Sequence, residues 1–112
     1  MKKKKLLFSL ILLLLLIPVI KSQDIEEIQE KVSILITASQ TSGNIPFIVE
    51  FTAAGTGKLP LSYEWDFDND SKTDSVQQNP SFTYSILGEY NATATIIDGL
   101  GNNALESILI TA

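Results

Sequence analysis

The sequence predicts an all-β domain, an antiparallel sandwich of two sheets with about seven short strands. Three observations lead there. Beyond residue 31, apolar side chains recur at every second position, the period of a strand with one face buried. Clusters of Gly, Asn, Asp and Ser interrupt that pattern after roughly every ten residues. The same region nowhere carries the 3.6-residue period of an amphipathic helix.

Residues 1–22 stand apart from this pattern. Met1 is followed by Lys2 to Lys5, then by an apolar run from Leu6 to Ile20 broken only by Ser9 and Pro18. A permanent bilayer span needs roughly 20 apolar residues, so the run is short for one. A basic start, a short apolar stretch, a helix-breaking proline and small Ser22 before Gln23 predict a helical secretory signal peptide cut after Ser22. The alternative is an uncleaved N-terminal anchor, because Ile20 and Lys21 make an imperfect approach to the cut. A lipid-modified anchor is excluded, since the chain has no cysteine. Either way the remainder is expected outside the cytoplasm, with membrane contact only through this segment if it stays uncleaved.

Residues 23–31 read as a polar spacer. Ile25 and Ile28 are three apart and Glu27 could pair with Lys31, but helices this short are marginal in water. The β pattern then begins. Val32, Ile34, Ile36 and Ala38 alternate with polar neighbours up to the turn cluster Gln40–Asn44. Phe47, Val49 and Phe51 form the next set, closed by Gly55-Thr56-Gly57. In the third strand, Leu61 to Phe67, the aromatics Tyr63, Trp65 and Phe67 share one face, and Ser62, Glu64 and Asp66 share the other. A slip of one residue would bury the two carboxylates, so the register is fixed. Phe82 and Tyr84 mark a short strand. Tyr90, Ala92, Ala94 and Ile96 then oppose Asn91, Thr93, Thr95 and Ile97, and after Asp98-Gly99 and Gly101-Asn102-Asn103 a last strand runs from Ala104 to Thr111, with Ile108 and Ile110 on one face. Trp65 takes the place of the core tryptophan of immunoglobulin-like sandwiches, and Tyr90 stands where such folds place a tyrosine corner. An up-and-down barrel is the alternative, for which seven strands are few.

Composition closes several functional classes. All eight basic residues are lysines, and five lie within the first 21 positions. From Gln23 onward three lysines face thirteen acids, leaving −10. Such a polyanion is a poor partner for nucleic acid or anionic lipid. With neither His nor Cys, a histidine-dependent triad, thiol catalysis and histidine-bound metals are closed as well. The domain must also hold together without disulfides, which is unusual for a small secreted module.

Four segments carry a resemblance. Tyr63-Glu64-Trp65-Asp66-Phe67-Asp68, Asn79-Pro80-Ser81-Phe82-Thr83-Tyr84, Gly88-Glu89-Tyr90 and Asp98-Gly99-Leu100-Gly101 resemble, in order and spacing, the signature of PKD domains over residues 32–112. That family's pattern has a W-D-F-G-D-G turn, a P-x-H-T-Y strand and a G-x-Y strand ending in D-x-x-G. Here Asp68-Asn69-Asp70-Ser71 replaces the glycine turn, and Phe82 stands where the family usually has His. The resemblance implies an immunoglobulin-like module making extracellular protein or polysaccharide contacts. It does not imply catalysis.

The candidate site residues are few. Asp66, Asp68, Asp70 and Asp74 present hard oxygen ligands of the kind calcium takes, and some PKD-like modules bind that ion. An EF-hand is not expected, because its glycine and final glutamate positions are Ser71 and Gln77. The competing reading is a solvated turn in which aspartates bond their own backbone. Glu64 and Asp66 lie roughly 7 Å apart on one face, within glycosidase range, but a sheet surface gives no pocket to tune them. Asn69 and Asn91 head glycosylation sequons, while Pro80 bars the one at Asn79. The row Tyr63, Trp65 and Phe67 is read as core, with a sugar-stacking platform as the alternative. Ile48 and Ile97 point outward by parity, as scattered surface residues do.

The expectation is therefore a secreted or cell-surface, non-catalytic PKD-like module without a certain cofactor, its aspartate loop open to calcium stiffening. A carbohydrate-binding accessory module and a signal-anchored envelope or surface-layer component are the alternatives.

Overall fold

In the computed structural model, residues 30–112 are described. The expected signal segment 1–22 and most of the spacer 23–31 lie outside the described residues. Alternation of branched and aromatic side chains with polar ones gives six strands: β1 (Ser33–Ala38), β2 (Phe47–Thr56), β3 (Ser62–Asp66), β4 (Ser81–Tyr84), β5 (Glu89–Ile97) and β6 (Asn103–Thr111). They form two antiparallel three-stranded sheets, ordered β1-β2-β4 and β3-β5-β6. About seven strands were expected and six form among the described residues; Ser75 adds a single bridge to Trp65 from within the polar loop.

The inner faces interlock as parity requires. Phe47, Val49, Phe51 and Ala53 of β2 face Tyr63 and Trp65 of β3, followed by Phe67, and Ala92, Ala94 and Ile96 of β5. Trp65 is fully enclosed. Its ring lies 5.2 Å from Phe51 and 5.6 Å from Phe67, and Phe67 stacks on Phe82 at 4.6 Å. Three small alanines, Ala53, Ala92 and Ala94, leave room for these rings. Ile48 is exposed as expected, whereas Ile97 is half-buried beside Ser62, its β3 partner.

The two sheets meet along a seam between β1 and β6. Ser42, just past β1, pairs in parallel with Thr111, and the Gly43 and Thr111 amides donate to the Thr111 and Thr41 carbonyls at 3.2 and 2.8 Å. The strand directions put the loops 57–61 and 98–102 at one end of the sandwich. The loops 43–46, 67–74 and 85–88 and the C-terminal Ala112 lie at the other.

Candidate functional site

The aspartate loop follows β3 directly. Asp66 is half-buried, and its two carboxylate oxygens accept the amides of Asp70 at 3.3 Å and Ser71 at 2.8 Å. Asp70 accepts the Lys72 amide at 2.9 Å, and Asp74 accepts the Phe67 amide at 2.7 Å. Asp66, Asp68, Asp70 and Asp74 each bring one oxygen within 4.8 Å of the others. The self-bonded turn leaves these four carboxylates able to hold a cation, since a carboxylate oxygen holding an N–H keeps a lone pair for a metal. Four hard oxygens fit calcium's preference. Desolvation, then the charges of Asp74 and Asp70, raise the Asp68 carboxyl above its usual value.

Behind the loop, the Tyr84 hydroxyl donates to the Phe67 carbonyl at 2.9 Å. Burial, then the Asp68 and Asp74 charges, push this phenol far above its ordinary value, so it stays neutral and keeps donating. The Trp65 indole N–H donates to the Gln77 carbonyl at 2.9 Å, which ties the far end of the loop to the core. Glu64 and Asp66 line an open polar depression with Asn69, Lys72, Thr93 and Thr95. No wall there excludes water from the pair.

Asn91 is exposed on the outer face of β5, and Asn69 sits exposed within the aspartate loop. Asn69 and Ser71 have φ of 61° and 66°, the left-handed region that glycine enters most easily. The loop therefore takes a glycine-like path with other residues.

At the opposite end Asp98 is buried and organises the β5–β6 turn. Its carboxylate accepts the Leu100 and Asn102 amides, both at 2.9 Å, and the Gly99 amide donates to the Lys58 carbonyl at 2.6 Å. Desolvation pushes the Asp98 carboxyl up, but the N–H groups of Asn102 and Leu100 outweigh it and hold it below its ordinary value. Gly57, at φ 146°, is required here, because a Cβ would stand 2.9 Å from that of Asp98. Beside this turn Leu59, Pro60, Leu61, Tyr63, Gly55 and Gln78 line an open groove of about 790 Å³. Sequence reading did not single it out, because its walls come from two sheets.

Two side-chain roles were also missed. Asn79 Oδ1 accepts the Ala53 amide at 3.1 Å, and the Gln78 amide donates to the Ala53 carbonyl at 2.7 Å. These amides extend the β2–β4 ladder past Pro80, the residue before β4. Glu106 points inward in β6 with Ala104, Ile108 and Ile110, and its parity was the available signal.

The tyrosine corner is present: the Tyr90 hydroxyl donates to the Ile86 carbonyl at 2.7 Å, four residues back. A family model for the PKD domain matches residues 18–111. The chain belongs to the PKD domain family. No curated protein matches it. Within the PKD pattern, Phe82 at the usual His position is half-buried against Phe67 and edge-on to Tyr84 at 4.8 Å. The aromatic core therefore gains a ring where the family has a polar one. PKD domains are typically modules of extracellular or surface proteins and generally non-catalytic.

Proposed function

We propose that this PKD domain is a secreted or surface-held contact module, and that its contacts are with protein. The observation that carries this reading is where its rings lie. Every aromatic side chain among the described residues is buried or half-buried, while the exposed large apolar groups are all aliphatic: Leu35, Ile48, Leu59, Ile86, Leu87 and Leu105 among them. Sugar recognition by stacking needs an exposed ring face, and aliphatic patches suit protein surfaces. The open setting of Glu64 and Asp66 supports a non-catalytic role. In the same reading the aspartate loop holds calcium and stiffens that end of the module.

Affinity electrophoresis through gels containing soluble polysaccharides tests the choice of partner. Unretarded migration is the expected result, and retardation by one polymer would favour the carbohydrate-binding alternative. Mass spectrometry of the culture fractions tests delivery. A mature chain beginning at Gln23 in the medium is expected, whereas an intact N-terminus in membranes indicates the anchored envelope component.

A further inference from the structure

The fold sets the two glycosylation sequons, Asn69-Asp70-Ser71 and Asn91-Ala92-Thr93, in different surroundings. Asn91 stands on the outer face of β5, exposed between half-buried Tyr90 and buried Ala92. The β3 ladder stops at Asp66, opposite Thr93, so no strand partner flanks Asn91 on that side. On the other side it faces Leu109 of β6, which is 52% exposed. Direct cross-strand neighbours have Cβ atoms about 5 Å apart, so a group built on the Asn91 amide lies over Leu109. The Asn91 backbone carbonyl, and not its side chain, accepts the Thr93 hydroxyl at 3.3 Å.

Asn69 is exposed too, but its surroundings oppose the same chemistry. It lies among Asp66, Asp68, Asp70 and Asp74, whose carboxylates gather within 4.8 Å of one another. The donor of an N-linked sugar carries an anionic pyrophosphate, which these like charges repel. Because the four acids fall within nine residues of sequence, the repulsion acts on the unfolded chain as well. The Ser71 amide is also held by Asp66 at 2.8 Å, which keeps that sequon curled inside its loop. Around Asn91, by contrast, Glu89 is the one acid within six residues on either side.

We infer that Asn91 is N-glycosylated and that its first sugar covers Leu109. In the transfer, Asn91 Nδ2 bonds to the anomeric carbon of an oligosaccharide carried on a lipid pyrophosphate. The bond from that carbon to the pyrophosphate oxygen breaks, the lipid pyrophosphate leaves with the electron pair, and Nδ2 gives up one proton. A bulky, solubilising group here closes the outer face of β5 and β6 to protein. The contacts proposed above then fall on other surfaces, such as that of the opposite sheet, where Leu35 and Ile48 are exposed. The inference rests on the delivery reading above, since such sequons are served on exported chains, and it adds a modification to that reading.

Peptide mass spectrometry of the chain, taken from the medium and membranes of the cells that make it, tests this. Trypsin separates the sequons by cutting after Lys58 and Lys72, since no lysine or arginine follows Lys72. Peptide 73–112 should carry sugar mass and peptide 59–72 none. Asn91→Gln and Thr93→Val should each lose the sugar entirely, while Thr93→Ser should keep it, with shielded Trp65 emission showing that every variant folds. Nuclear Overhauser contacts between the first sugar and the Leu109 methyls should appear in the glycoprotein, and their absence would overturn the covering. An unmodified peptide 73–112 in exported chains, sugar on 59–72 instead, or sugar that survives Asn91→Gln would overturn the site. An exported chain bare at Asn91 sinks this inference alone. A chain found only in the cytoplasm, with its N-terminus intact, sinks the delivery reading together with it.

Discussion

The Glu106 carboxylate of β6 accepts the Ile36 amide of β1 at 3.2 Å, bridging the two sheets where neither strand has a backbone partner for that group. Ile36 opposes Ala53, whose own N–H and C=O turn toward Asn79 and Gln78, so the Ile36 amide faces the open edge of its sheet. An inward carboxylate there satisfies the amide and discourages edge-to-edge pairing with another chain. Glu106→Leu should lower the urea unfolding free energy by about 1–3 kcal/mol, the cost of an orphaned, part-buried donor. Glu106→Gln, which keeps an acceptor, should lose less.

Tyr90→Phe removes one hydroxyl and keeps the ring that packs 4.8 Å from Tyr84. The Ile86 carbonyl then has only water, and stability should fall by about 1 kcal/mol in chemical denaturation. The same variant should loosen the β4–β5 loop, seen as faster amide exchange at Ile86 and Leu87 with the strands unchanged.

Trp65 should report the architecture directly. Its enclosure predicts blue-shifted emission and little quenching by iodide in the folded protein, with ready quenching in urea. Trp65→Ala should cost about 3–5 kcal/mol from the cavity it opens, and more from the Gln77 carbonyl left without its donor.

Acid should act through two aspartates with opposite signs. The Asp98 carboxyl is held low in the fold, so its contribution is complete above the unfolded value near 3.8 and is lost as pH falls through the lower folded value. Asp68 is raised, so its charge opposes folding at neutral pH. That penalty lifts as pH falls through the raised folded value and is gone below 3.8. Asp68→Asn should therefore raise Tm at pH 7, while Asp98→Asn should lower it and flatten the acid limb of the stability curve.

Calcium at ten times its Kd should add about 1.4 kcal/mol, raising Tm of this domain by several degrees. The Asp68→Asn and Asp70→Asn variants should respond less. A Tm unmoved by millimolar calcium would leave the loop as a hydrogen-bonded turn alone.

Much of this was legible in the chain itself. The row Tyr63, Trp65 and Phe67 set the register of β3 because alternation is local: each side chain's face follows from its neighbours' parity. The tyrosine corner and the aspartate cluster were legible for the same reason, each lying within a few residues of sequence. The Ser75 bridge was not, since a single bridging residue has no period to read.

What the sequence alone determined was which side chains face inward and which segments are strands. What the tertiary structure decided was how the edges are completed: Asn79 on Ala53 across 26 residues, Glu106 on Ile36 across 70, and an open groove lined from both sheets. Periodicity carries no information about which distant strand lies alongside, so the Ala53 backbone groups and the Ile36 amide, left over by the ladders, found their partners only once the sheets had packed.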